Sequence, residues 1–256
     1  MLPSAPMARV LLFSLLTLSL PQSLASDTEL FELISQRLNY MKDVAAYKWV
    51  NGLPIEDLQR EDVVLRGAVL AGLQRGITTE SSRVFFQAQI AAAKEIQNYW
   101  FQAWEAGNEP PSAPDLNNVV RPALLRLGNR IVEVLGPVSA SRWEHFNNIL
   151  QVEGLSDSSR ARIFRGLGAI DFYPDQWEQI NASGILRVGT TGDYPPCTLQ
   201  EGNAYSGIDL DLAENLAVYL GLDLVVIPTR WPTLSEDLTA GKFDMAMGGV
   251  SITDAR

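Results

Sequence analysis

The segment Thr28–Trp49, TELFELISQRLNYMKDVAAYKW, decides the fold of the first half of the chain. Its apolar residues recur at intervals of three and four, which is the spacing of one face of an α-helix. This apolar stripe consists of Leu30, Leu33, Ile34, Leu38, Met41 and Ala45. The segment therefore predicts a long amphipathic helix that packs its apolar face against other helices.

The same helical spacing continues well beyond this first segment, and strand-like alternation is absent as far as residue 170. Helical patterns occupy residues 60–76, 81–107, 119–136, 139–151 and 156–170. Gly76 is expected to cap the first of these at its C-terminus. Residues 26–170 therefore predict an all-α helical bundle.

The pattern changes after a short polar stretch, residues 171–184, which we interpret as a linker. Apolar, β-branched runs at 185–191 and 222–229 have the length of strands, and residues 207–221 between them have a helical pattern. Alternating strands and helices predict a parallel sheet. Residues 185–256 are therefore expected to form an α/β lobe, which at about 70 residues we expect to be truncated.

The N-terminal segment has the features of a secretory signal peptide. Arg9 precedes the apolar run Val10–Leu20, and Ser23 and Ala25 form a small-x-small cleavage pattern. The apolar run is too short to span a bilayer. Residues 1–25 therefore predict a cleaved signal and a periplasmic or secreted protein with no membrane attachment after cleavage.

The composition excludes several classes of protein. The net charge is -10 and no lysine-arginine run offsets it, which argues against binding to nucleic acid. The sequence has one cysteine, Cys197, and one histidine, His145. An internal disulfide is therefore impossible, and a cysteine- or histidine-based metal site is not expected.

Several polar residues fall close to the inner faces of the predicted helices. Arg37 and Lys48 are eleven residues apart, which is three turns with about 20° of drift, so they share a face if the helix is continuous. Gln97 ends a stripe that recurs every four residues from Gln89 through Ala93.

Two further arginines begin helical patterns, Arg60 the second and Arg121 the fourth. Taken singly, such residues are more typical of solvated helix surfaces or of cations that complement a helix dipole. Together, three arginines, a lysine and a glutamine indicate a small polyanionic ligand.

The motifs carried by residues 36–61, QRLNYMKDVAAYKWVNGLPIEDLQRE, resemble those of the secreted, all-helical chorismate mutases. Residues 85–97 and 115–130 fit later helices of the same family, so the resemblance covers roughly residues 28–165. It implies an isomerase that converts chorismate to prephenate, in phenylalanine and tyrosine biosynthesis, without metal or cofactor. It leaves open whether the enzyme is a monomer or a homodimer.

The resemblance implies a substrate site made of Arg37, Lys48, Asp57, Arg60, Gln97 and Arg121. The three arginines match family positions that hold the two substrate carboxylates. Lys48 and Gln97 match the donors to the ether oxygen, and Asp57 matches an acid near the substrate hydroxyl. Ala93 stands where many relatives carry Ser or Thr, so one polar contact is expected to be missing.

Residues 185–196, 205–217 and 230–256 are similar to the first lobe of periplasmic solute-binding proteins, above all to cyclohexadienyl dehydratase, which acts on prephenate or arogenate. Arg256 and Ser251 match ligand contacts of that lobe. Cys197 replaces an aromatic residue that is common in the superfamily. We expect an originally bifunctional protein whose dehydratase part is incomplete and inactive.

Two other hypotheses compete with a chorismate mutase. In the first, the protein is a solute-binding module for a small carboxylate or amino acid, and the helical half is a fused scaffold. In the second, the helical half is an interaction domain whose polar residues lie on the surface. The set of Arg37, Lys48, Arg60, Gln97 and Arg121 favours the enzyme, because a scaffold has no need of it.

Overall fold

The computed structural model describes the backbone of residues 22–250 and the side chains of residues 27–250. The predicted signal segment lies outside the described residues except for residues 22–25, which form the first turn of helix α1. Ser251 and Arg256, predicted to contact a ligand, also lie outside them. Within the described part, no helix is both long and apolar enough to cross a membrane.

Residues 22–170 contain seven α-helices, where the helical spacing predicts six, because the first predicted helix is divided in two. They are α1 Gln22–Asn39, α2 Met41–Val50, α3 Leu58–Leu73, α4 Thr79–Glu105, α5 Arg121–Val134, α6 Trp143–Ile149 and α7 Asp157–Gly168. A π-helical turn, Leu116–Val120, leads into α5, and a 3₁₀ turn, Ala140–Arg142, leads into α6.

The first predicted helix is interrupted at Tyr40, which separates α1 from α2. The hydrogen bonds of a helix nevertheless continue through this point. Tyr40 N donates to Gln36 O at 3.3 Å, and Val44 N donates to Tyr40 O at 3.0 Å. The backbone of Tyr40 itself is right-handed helical, with φ -63° and ψ -12°. The break therefore preserves the helical relation on which the shared face of Arg37 and Lys48 depends.

Helix α4 lies at the centre of the bundle and packs against α2, α3 and α7. The core around it is aromatic and aliphatic, and Phe31 and Phe146 meet edge to face with their ring centroids 5.1 Å apart.

Helix α3 ends at Leu73, three residues before the predicted cap Gly76. Gly76 instead supplies the left-handed residue, φ +75°, of the short turn that joins α3 to α4.

The stretch 171–184, predicted as a linker, contains helix α8, Gln176–Ser183. Asp175 begins it by accepting a hydrogen bond from Glu178 N at 2.8 Å, and Gly184 ends it at φ +70°. Gln179 is buried and its Nε2 donates to Leu73 O at 2.9 Å. This stretch is therefore ordered and bonded to the C-terminal end of α3.

The second part is an α/β lobe, as predicted. Its elements are β1 Ile185–Thr190, β2 Asp193–Tyr194, β3 Thr198–Glu201, β4 Ala204–Ser206, α9 Ile208–Leu220, β5 Asp223–Pro228, α10 Leu234–Thr239 and β6 Met245–Ala246. The predicted parallel sheet has the order β5-β1-β6, with Val188 of β1 paired to Val226 on one side and Met245 on the other. A second, antiparallel sheet, β2-β3-β4, was not predicted.

Candidate active site

Three of the predicted site residues, Lys48, Asp57 and Arg60, lie around the turn that joins α2 to α3. Gly52, at φ +61°, lets the chain turn, and Leu53 N closes the end of α2 by donating to Lys48 O at 2.8 Å. The Asp57 side chain then caps α3 by accepting from Arg60 N at 3.0 Å. These local signals place Lys48, Asp57 and Arg60 around one short turn.

Lys48 is half-buried and its side chain crosses this turn. The Lys48 ammonium donates a hydrogen bond to Ile55 O at 2.6 Å, so it does not serve the carbonyls at the end of its own helix. Burial lowers the pKa of Lys48, and the nearby cations Arg121 and Lys94 act in the same direction. The carboxylates of Asp57 and Glu61 oppose this effect. Lys48 is thus close to charged groups from α3, α4 and α5.

Gln97 is buried in the middle of α4, at 5% exposure. Its Nε2 donates to Ala93 O at 3.0 Å and to Met41 Sδ at 3.9 Å. Met41 and Lys48 are separated by two turns of α2, so they share one face of that helix. Gln97 Oε1 is buried and has no hydrogen-bond partner among the described residues. Both hydrogens of Nε2 thus have acceptors, and a ligand oxygen would take the place of the Met41 sulfur, which is a weak acceptor.

Arg37 is half-buried near the end of α1 and points toward α4. Its Nη1 donates to Gln89 Oε1 at 3.2 Å. Burial lowers the pKa of Arg37 to about 10, so the guanidinium remains charged at neutral pH. Among residues 27–250 no carboxylate forms an ion pair with it. Arg37 is therefore a fixed cation without a counter-ion in the described part of the chain.

The inward placement predicted for Arg60 and Arg121 is wrong, because both side chains are exposed. Each lies in or beside the first turn of a helix, at the edge of the bundle. Arg121 Nη1 donates to Asn117 Oδ1, whereas the Arg60 side chain has no partner among residues 27–250. Asp57 is exposed as well. The six predicted residues therefore divide into three exposed ones and three that are half-buried or buried, Arg37, Lys48 and Gln97.

The sequence did not assign a role to four residues, Gln89, Lys94, Glu61 and Glu56. Gln89, fully buried on α4, is the hydrogen-bond partner of Arg37. Lys94 pairs with Glu61 at 2.9 Å and with Glu56 at 3.4 Å, which ties the start of α3 to α4. The four-residue recurrence of Gln89, Ala93 and Gln97 was the available signal for Gln89, since it marks one face of α4.

Two cavities lie on the other faces of α4. One of about 630 Å³ is bordered by Lys94, Glu95, Tyr99 and Arg162. The second, of about 320 Å³, is bordered by residues of α3 and α4 that include Glu61 and Lys94. None of the six predicted site residues lines either of them.

The chemistry that the site offers is positive charge and hydrogen-bond donation. Arginines pair with carboxylates in a fixed geometry, and a lysine with a glutamine amide can stabilise charge that develops on an oxygen. Among the residues whose side chains the structure describes, no group of three or more His, Cys, Asp or Glu is arranged to hold a metal ion.

Comparison with known proteins shows the family of the helical part. Residues 22–98 match the family model described as chorismate mutase type II. The chain is 34% identical over 139 residues to a secreted chorismate mutase from Yersinia pestis, covering 75% of that protein and 52% of this chain. The chain belongs to the chorismate mutase family. A crystal structure of the secreted chorismate mutase from Yersinia pestis superposes with a TM-score of 0.52 at 32% identity, over 97% of that chain and 56% of this one.

The lobe has different relatives from the chorismate mutase part. Residues 186–256 match the model described as bacterial extracellular solute-binding proteins, family 3. The chain is 50% identical over 76 residues to a cyclohexadienyl dehydratase from Pseudomonas aeruginosa. This match covers 29% of the present chain, and the chain spans only 28% of that relative. The chain thus combines a chorismate mutase part with part of a solute-binding-protein lobe, as the sequence predicted.

Proposed function

We propose that the helical part of this chain converts chorismate to prephenate in an exported compartment. Membership in the chorismate mutase family supports the activity. The observation that carries the proposal is the fixed Arg37 cation, which is half-buried, hydrogen-bonded to an amide and free of any described counter-ion. A cation held in this way suits an anionic substrate, because nothing in the protein neutralises it first.

The reaction explains the kinds of residue that the site contains. It is an intramolecular rearrangement, so no nucleophile or general base is needed. The enzyme must hold a flexible dianion in its compact conformer, which a set of positioned cations does by pairing with both carboxylates. We assign this role to Arg37, Arg60 and Arg121.

Negative charge develops on the ether oxygen as its bond to carbon breaks. We assign the stabilisation of this charge to the Lys48 ammonium and the Gln97 amide. Lys48 keeps its charge close to Asp57 and Glu61, which favour the protonated form. Gln97 donates at any pH, because an amide does not titrate. Turnover is therefore expected to be nearly constant between about pH 5 and pH 8.

We propose that Asp57 lies near the substrate hydroxyl. Its cap to Arg60 N uses Oδ1, so the other carboxylate oxygen is available to a ligand. Asp57, Arg60 and Arg121 are exposed, so a ligand can reach all three from solvent.

Export is supported by the secreted relative and by the signal features of residues 1–25. We propose domain limits of 26–170 for the mutase and 185–256 for the lobe, joined by residues 171–184. Chorismate consumption and prephenate formation by the purified chain test the activity directly. We expect stoichiometric prephenate, and an absence of chorismate consumption by folded protein would reject the proposal.

A second function is favoured for the lobe by its match to the solute-binding family. We propose that it derives from a module that binds a small carboxylate or an amino acid, of which the dehydratase relative is an enzymatic form. Calorimetry with prephenate and with phenylalanine, compared with a variant lacking the lobe, tests this. Heat of binding that persists without the lobe would assign the ligand to the helical part.

A further inference from the structure

Gln89 is the residue of the site that the proposed function leaves without a role. It is fully buried at 0% exposure on the inner face of α4, two turns before Gln97. A buried glutamine is costly unless its amide is hydrogen-bonded. Its Oε1 satisfies this requirement by accepting from Arg37 Nη1 at 3.2 Å.

We propose that Gln89 is a positioning residue that fixes the Arg37 guanidinium for the carboxylate of the substrate. The bond joins the end of α1 to the middle of α4, and so it sets the orientation of the arginine fork relative to Gln97. This inference rests on the proposed function, because it takes Arg37 to be a carboxylate-binding residue.

The amide is suited to this role because it is neutral. A carboxylate at position 89 would hold the guanidinium equally well, but it would also form an ion pair with it. The charge of Arg37 would then be compensated inside the protein, and a substrate carboxylate would have to compete for it. Glutamine orients the cation and leaves its charge available.

The amide nitrogen of Gln89 supports the same role. Gln89 Nε2 is buried and has no hydrogen-bond partner among the described residues. It belongs to the same planar amide as Oε1, so it lies close to the Arg37 guanidinium. A buried donor without a partner is unfavourable, and an anionic oxygen held by Arg37 would supply an acceptor. We infer that Nε2 donates to the carboxylate that Arg37 binds.

The test compares three substitutions in the full chain. Gln89→Glu keeps the shape of the side chain and adds a negative charge that pairs with Arg37. We expect the KM for chorismate to rise about tenfold or more, because the loss of one charge-assisted contact to the substrate has this size. The change in kcat should be smaller. Gln89→Leu removes the hydrogen bond without adding charge, and both constants should worsen. Gln87→Glu places the same charge on an exposed position of α4 and should leave both constants unchanged.

A double-mutant cycle separates positioning from general packing. In an Arg37→Met background, Gln89→Glu should have little further effect on KM, because its target is gone. An equal effect with and without Arg37 would overturn the proposal, as would an unchanged KM in Gln89→Glu.

The final measurement does not depend on activity. In ligand-free protein, nitrogen-15 NMR of the Arg37 guanidinium should show hindered rotation of its Nη groups in the wild type and faster rotation in Gln89→Leu. Unchanged rotation in a folded Gln89→Leu protein would overturn the positioning role. If the wild type fails to turn over chorismate, the proposed function fails, and this measurement still decides whether Gln89 fixes Arg37.

Discussion

The Lys48 ammonium donates a hydrogen bond to the carbonyl of Ile55, seven residues further along the chain, at 2.6 Å. A lysine that caps its own helix would instead reach the last carbonyls of α2. Here the side chain spans the turn that contains Leu53 and Pro54 and is held beside the start of α3. This contact shows that Lys48 is a positioned cation and not a solvated residue at the end of a helix.

Gln97→Glu should make the activity depend on pH. A carboxyl group donates a hydrogen bond only when it is protonated, so turnover should fall as pH rises through the pKa of the new group. The wild type should stay nearly constant over the same range. The measurement is kcat from about pH 5 to pH 8, with Gln102→Glu on the exposed side of α4 as control. Parallel profiles for Gln97→Glu and wild type would show that residue 97 does not donate in the transition state.

Asp57→Asn should move the alkaline loss of activity to lower pH. The Asp57 carboxylate favours protonated Lys48, so its removal lowers the Lys48 pKa further, and the ammonium is lost at lower pH. Asparagine still caps α3 through its side-chain oxygen, so the fold should be preserved. The pH dependence of kcat above neutrality measures the shift, and Asp62→Asn on the same helix is the control. A shift to higher pH would contradict the placement of Asp57 beside Lys48.

Arg60→Ala should weaken substrate binding without affecting stability. The side chain is exposed and has no described partner, so its loss should leave the melting temperature within experimental error. If it pairs with a substrate carboxylate, KM should rise about tenfold or more. Arg66→Ala on the same helix removes a surface pair with Asp62 and should change neither quantity. An unchanged KM in Arg60→Ala would remove Arg60 from the site.

Asp244→Asn should destabilise the lobe and spare the mutase. The side chains of Arg187 and Asp244 are both 2% exposed, and Arg187 Nη2 lies 2.6 Å from Asp244 Oδ1. Breaking this ion pair leaves the Arg187 charge buried without a partner, which should lower the free energy of unfolding by about 3–5 kcal/mol. All six site residues lie in the helical part, and chorismate turnover should persist below the melting temperature of that part. Circular dichroism melts beside activity assays measure both, with the exposed Asp223→Asn as control. Loss of turnover at temperatures where the helices remain folded would show that the site depends on the lobe.

Much of the fold could be predicted because its signals are periodic. The apolar stripes of the helical part recur over several turns, and helix α4 alone has 27 residues. Likewise, the β-branched runs of β1 and β5 predict buried parallel strands, and the two strands are paired. Tyr40, where α1 and α2 divide, has no glycine or proline beside it, so no local signal marked the break.

The antiparallel sheet and helix α8 were missed for a different reason. Strands β2 and β4 contain two and three residues, which is too short for a period to be recognised. A turn signal was present, since Gly202 and Asn203 separate the paired residues Glu201 and Ala204. Helix α8 is short and polar, and the contact of Gln179 with Leu73 is a tertiary contact that no local pattern contains.

The positions of the candidate site residues were also predictable only in part. Helical spacing brought Arg37, Lys48 and Gln97 to inner faces, and their side chains are half-buried or buried. Spacing could not place Arg60 and Arg121, because the first residues of a helix extend beyond the packed part of the bundle. The four-residue recurrence placed Gln89 on the same face of α4 as Gln97, but its bond to Arg37 joins residues 52 positions apart, which no local pattern contains.

The central claim is that Lys48 stabilises the transition state of chorismate rearrangement, and steady-state turnover of chorismate by Lys48→Ala tests it most directly. Loss of one preorganised donor costs on the order of 3–4 kcal/mol, so kcat should fall several-hundred-fold while the protein stays folded. Lys42→Ala on the same helix removes a cation 3.7 Å above the Trp100 ring and should keep nearly full kcat. Wild-type kcat in folded Lys48→Ala would contradict the claim.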